Sequence, residues 1–147
     1  MCVMRLLVLG AALLLFGART EAKVLSASCS NIHGLRIDDT GSEVETDADK
    51  LTGATWAYSW ELGSNEATLM LQSTRGTSPT TERAFVHAMQ GGEVSFISLL
   101  SGATWVHTLY LANSKLLVAQ STTGNGSNAH RLSGKMMVGD CQINISK

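Results

Sequence analysis

The chain has 147 residues and a formal net charge of −1; 44% of its residues are hydrophobic but only 5% are aromatic. A near-neutral balance with no cluster of Lys and Arg excludes the phosphate-neutralising surface that nucleic-acid binding needs. One proline, 14 glycines and this length suit one turn-rich domain with a modest core.

Residues 1–22 read as a secretory signal peptide. Arg5 supplies the positive start, residues 6–16 form an apolar run too short for a comfortable bilayer span, and Thr20-Glu21-Ala22 offers a small-residue cleavage site. Ala18 is a second cleavage point, and an uncleaved anchor is the alternative to removal. Without Arg5, Arg19 and Glu21 the formal charge becomes −2. No second long apolar run follows, so no transmembrane segment is expected after cleavage. Residues 23–147 form a single β domain in this reading, secreted or periplasmic.

Cys2 leaves with the signal, and Cys29 and Cys141 remain near the two ends of the exported part. Two lone cysteines in an oxidising compartment most simply pair. A lipid-anchored Cys29 is disfavoured, because Ser26-Ala27-Ser28 lacks the aliphatic residue such a signal carries.

Gly-Ala-Thr-Trp occurs at residues 53–56 and again at 102–105. The match extends in both directions. Gly41-Ser42-Glu43-Val44 aligns with Gly91-Gly92-Glu93-Val94, and Gln72-Ser73 with Gln120-Ser121. The offset drifts from 50 to 48 residues, so a four-strand unit used twice, over about 35–73 and 84–121, competes with a convergence of turn residues in two β meanders. The predicted strands of the first copy are residues 35–38, 43–48, 54–62 and 67–72. Those of the second are 84–89, 93–100, 103–111 and 115–120, and a last strand covers about 132–138. Short connections rich in Gly, Asn and Asp mark antiparallel hairpins, Gly91-Gly92 most clearly. Residues 73–81 and 121–128 read as exposed polar loops.

Period-two alternation places Trp56, Tyr58, Trp60 and Leu62 on one buried face, and Trp105, His107, Leu109 and Leu111 on another. Phe85, His87 and Met89 form a similar face. The fold class is therefore all-β: an antiparallel meander of eight to nine strands, with a small closed barrel favoured because closure removes edge strands. A two-sheet β-sandwich is the alternative.

Sequence signatures of catalysis are missing: no nucleophile elbow, phosphate-binding loop or zinc-protease helix occurs. No cofactor is expected. His33 and His130 sit near turns. His87 and His107, on strands separated by one other, are a metal or acid–base pair in the functional reading and ordinary core histidines in the other. Glu43, Glu45, Asp47 and Asp49 fall on one face of an extended strand, as a cation site, a landing patch for a basic partner or a solvated face. Trp56, Tyr58, Trp60, Trp105 and His107 are candidates to line a ligand cavity inside the barrel, against the alternative that they are core. Asn125-Gly126-Ser127 and Asn144-Ile145-Ser146 match the N-glycosylation pattern.

In layout, a signal, a β meander and one end-to-end disulfide, the chain resembles small exported barrels such as periplasmic lysozyme inhibitors and lipocalin-like carriers. That resemblance implies a binding module for a protein or cell-envelope component, with the polar loops and the acidic face as working surfaces. Its alternative is a carrier of a small apolar ligand. A small hydrolase or metal-dependent enzyme using His87 or His107 is a third expectation, without a motif behind it.

Overall fold

The structure, a computed structural model, describes residues 21–39, 41–51, 53–72, 78–100, 102–123 and 132–146. All but the end of the expected signal segment lies outside them, as do much of both polar loops, Asn125 and His130. Nine strands follow in chain order: β1 (Val24–Asp39), β2 (Val44–Leu51), β3 (Thr55–Glu61), β4 (Glu66–Gln72), β5 (Thr80–Gln90), β6 (Glu93–Leu100), β7 (Ala103–Tyr110), β8 (Lys115–Thr123) and β9 (Leu132–Ser146). No helix among the described residues is long and apolar enough to cross a membrane.

All pairings are antiparallel, and β1 pairs with β9. Eight strands, β1 and β3 to β9, thus close a barrel, which excludes the sandwich. Cys29 and Cys141 lie directly opposite each other on this seam and form the disulfide. The bridge is consistent with an oxidising, extracellular compartment.

β1 has two lives. Its first half, residues 24–29, pairs with β3, and its second half, residues 32–39, pairs with β2. β9 follows both halves on the other side. The sheet therefore continues past the start of β3 as a ribbon of β2, β1, β9 and β8. Between Ser30 and His33 the register slips by one residue, with Asn31 at φ 54°. Asparagine tolerates this left-handed conformation better than most residues. Its side chain donates to Asp140 at 2.9 Å, which anchors the bulge. The extra residue resets the alternation, so Ile32 is buried at 2% exposure beside Cys29 instead of facing out.

The barrel interior is filled by Leu25, Ile32, Leu69, Phe96, Leu109 and Met137 together with Trp56, Tyr58 and Trp60. Full burial of each large side chain is worth about 1.5–3 kcal/mol. The ring of Tyr58 stacks on Phe96 at 5.8 Å, and Trp60 meets Phe96 edge-on at 6.2 Å. Gly91 and Gly92, at φ 63° and 85°, make the tight β5–β6 turn that the sequence indicates.

Three expectations are corrected. The last strand runs on to Ser146 and does not end at about residue 138, because its pairing with β1 continues to Val24↔Ser146. The first strand starts at Val24, not Leu35, because small Ala and Ser residues hide the alternation of Leu25, Ala27 and Cys29. Phe85, His87 and Met89 do not share a buried face: Phe85 is 50% exposed, and a bulge between Val86 and Ala88 breaks the alternation at His87.

Gly34 sits where β1 runs tight against β9. A Cβ there would lie 2.0 Å from the Met136 carbonyl oxygen and 2.7 Å from Met137 Cα, both backbone atoms that retreat only if the strands part. Gly34→Ala is expected to cost about 3 kcal/mol. At Gly134, where the added Cβ meets only Gln120 O at 3.3 Å, alanine should cost less than about 1 kcal/mol. Urea unfolding midpoints of the two variants test the contrast, and equal midpoints would contradict it.

Candidate functional site

Directly opposed residues share a face, so the registers trace rungs across the inner surface of the sheet. One rung, from β6 to β2, runs Phe96, His107, Val118, Met137, Gly34 and Asp49. The next runs Ser98, Trp105, Gln120, Lys135, Arg36 and Asp47. A third runs Leu100, Ala103, Thr122, Ser133, Asp38 and Glu45. The face that lines the lumen is thus continuous with the acidic face of β2. The aromatic cluster and the carboxylate row, read as two separate features in the sequence, belong to one surface.

The rings meet at the end of the lumen where β3 and β7 begin. Trp56 and Trp105, the tryptophans of the two Gly-Ala-Thr-Trp copies, pack edge to face at 6.0 Å. Their preceding glycines, Gly53 and Gly102, both have positive φ, at 68° and 81°. The two copies differ in pairing all the same: β6 runs against β7, whereas β2 runs against β1. His107 lies 5.6 Å from Trp56, 5.7 Å from Tyr58 and 6.1 Å from Trp105, ring centre to ring centre.

Tyr58 and His107 occupy matched positions in the two copies, and the Tyr58 hydroxyl is 2.9 Å from His107 Nδ1. Burial holds the His107 imidazole down at about 4, so the ring is neutral near pH 7. Burial also pushes the Tyr58 phenol well up, so it keeps its proton. With Tyr58 donating to Nδ1, the ring proton sits on Nε2.

Several polar atoms on this surface are buried without a hydrogen-bond partner among the described residues. They are Ser98 Oγ, Trp105 Nε1, His107 Nε2, Gln120 Oε1 and Glu82 Oε2. Ser98 and His107 are 1% and 0% exposed. Native structures leave few such atoms, since each costs about 1–3 kcal/mol. Glu82 is opposite Leu69, which is opposite Tyr58, so its carboxyl is on the lumenal phase of β5. Burial raises its pKa above the usual carboxylate value.

The ribbon carries its own charges. Lys135 Nζ is 2.5 Å from Asp49 Oδ2, reaching past the bare Gly34. The two side chains form an ion pair. Arg36 pairs with Asp38 at 2.5 Å. A hydrogen bond from Ser133, with Arg36 beside it, holds the Asp38 carboxyl below its usual range. Glu43 precedes β2 and is exposed.

Of the five residues expected to line a cavity, Trp56, Tyr58, Trp105 and His107 converge. Trp60 lies two places further along β3, and its indole N–H donates to Ser64 O at 2.9 Å, which leaves it a packing role. His87 is exposed at the β5 bulge and does not join His107, while His33 contacts the carbonyl of Asn31. Among the described residues no three His, Cys, Asp or Glu side chains gather to hold a metal. Ser98, Gln120, Glu82, Arg36 and Lys135 were not singled out in the sequence. The signal was there: in residues 94–98 and 116–120 a polar residue takes the apolar phase of the alternation. No protein-family model matches the chain, and no curated protein sequence matches it.

Proposed function

We propose that this protein is an exported, non-catalytic binding module, secreted or periplasmic, that takes a small ligand at the end of its barrel lumen. The observation that carries the reading is the set of unpartnered buried atoms on β6, β7 and β8, walled by Trp56, Trp105 and His107. Trp105 Nε1–H and His107 Nε2–H are donors, Gln120 Oε1 is an acceptor, and the Ser98 hydroxyl is both. A flat ligand with an acceptor atom would relieve their desolvation and stack on the rings. The polar atoms favour an amphiphilic ligand over a purely apolar one.

Titrating 2-phenylethanol into the oxidised protein should give a saturable, one-site change in tryptophan fluorescence. His107→Leu should weaken it about tenfold, the worth of one buried hydrogen bond. A response that stays linear in probe concentration would sink the reading. A second reading, capture of a protein or cell-envelope component, is favoured by the outer face of the ribbon. There Leu35, Ile37, Val44, Met136 and Val138 are 41–67% exposed. It requires a partner whose capture is lost in Ile37→Lys and kept in His107→Leu.

A further inference from the structure

We infer that the lumenal site selects planar amides: ligands that present a carbonyl and a neighbouring N–H on one edge of a flat aromatic body. The inference rests on the small-ligand reading above and deepens it by naming the polar group of the ligand. Ser98, Trp105 and Gln120 are directly opposed on β6, β7 and β8 and share the lumenal face. His107 follows on β7, and its ring stacks on the Trp105 indole at 6.1 Å and 20°. Trp56 meets both rings edge-on, at 6.0 Å and 5.6 Å. Ser98 and His107 are 1% and 0% exposed, so water does not satisfy their unpartnered atoms. Trp105 and Gln120 are half-buried, which leaves the patch open toward the end of the barrel.

The unpartnered atoms of this patch are sorted by strand. The Ser98 hydroxyl and the N–H groups of Trp105 and His107 are on β6 and β7, and the acceptor Gln120 Oε1 is on β8. His107 Nε2 is a donor because Nδ1 is taken by the Tyr58 hydroxyl. The matching group therefore accepts on the β6–β7 side and donates on the β8 side. A planar amide does both from adjacent atoms: its oxygen has two lone pairs for the ring N–H groups, and its N–H meets Gln120 Oε1. Its plane also continues an aromatic ring that packs on the indoles. An ammonium group only donates and leaves both ring N–H groups unpaired. A carboxylate only accepts, sets a second acceptor against Gln120 Oε1, and gives up its hydration for neutral donors. Lys135 and Arg36, further along the same rung, do not compensate it, since Asp49 and Asp38 already hold them. A ketone satisfies the donors but leaves Gln120 Oε1 buried and unpaired, which is how a site built to bond a ligand N–H rejects an analogue lacking it.

The test uses four probes of nearly one shape: benzamide, acetophenone, benzoate and ethylbenzene, titrated calorimetrically into the oxidised protein. Benzamide should bind about tenfold tighter than acetophenone, which puts a methyl in place of its amide nitrogen, and about a hundredfold tighter than ethylbenzene, which also lacks the carbonyl. Benzoate should bind more weakly than benzamide at every salt concentration. Gln120→Met should bring benzamide to within about twofold of acetophenone. Trp105→Phe, which keeps a ring and loses the N–H, should weaken both by about tenfold and leave their ratio unchanged. The comparison of benzamide with acetophenone needs no variant, so the inference stays testable if either variant folds poorly. Equal binding of benzamide and acetophenone, or benzoate binding as tightly as benzamide, overturns the amide selection and leaves the small-ligand reading standing. Absence of saturable heat from all four also overturns it, and the 2-phenylethanol titration then decides the small-ligand reading separately.

Discussion

Reducing the Cys29–Cys141 bridge should lower stability by about 4 kcal/mol and the melting temperature by on the order of 15 °C. The two cysteines are 112 residues apart, so the bridge removes the loop freedom of nearly the whole domain from the unfolded chain. In the folded state they are directly opposed on β1 and β9, a seam that backbone pairing also holds from Val24↔Ser146 to Asp38↔Ser133. The barrel should therefore still close without the bridge, with less margin. Urea unfolding with and without reductant, and of the Cys29→Ala/Cys141→Ala protein, measures the loss. An unchanged midpoint would show that the unfolded chain gains no freedom when the bridge is cut.

Acid should act through His107. In the unfolded chain this ring takes up a proton near pH 6.5, and in the folded barrel only near 4. Below pH 6.5 the unfolded state binds the proton first, so stability falls as the pH drops and levels off once the folded ring also protonates. Between those limits the loss is about 3 kcal/mol. Asp38 and Asp140 have lowered pKa values, so their contributions fade only in stronger acid. Glu82 works in the opposite sense: its raised pKa lets the folded state bind a proton first, which offsets part of the loss near the carboxylate range. Urea midpoints from pH 7 to pH 4 should show the step, and Tyr58→Phe/His107→Leu should abolish it. The double variant removes both partners of one buried hydrogen bond, so its stability at pH 7 should be close to that of the natural protein, or above it. A step that survives in the double variant would place the titrating group elsewhere.

These two expectations sit on different parts of the sequence. The disulfide was legible from two cysteines and the expectation of export. The acid step was half legible: His107 stood in an apolar phase, and Tyr58 stood in the matching place of the other copy. That the two touch follows only once β3 and β7 face each other across a closed lumen. The carboxylates were legible as a row but not as a lumenal feature. Nothing local in Glu45, Asp47 and Asp49 says which side of the sheet they take.

Strand identity and the inward set on β3 and β7 came from alternation, because side-chain direction repeats every two residues whatever the strand pairs with. The bulges at Asn31 and His87 escaped it, since an inserted residue is defined only against a partner strand. The barrel's closure, the sharing of β1 between β2 and β3, and the meeting of acidic ribbon and aromatic lumen depend on pairings between residues as far apart as Val24 and Ser146. Such pairings are set by the burial and hydrogen bonding of the whole sheet at once. No window of the chain contains that sum, and so the site emerges only when the sheet closes.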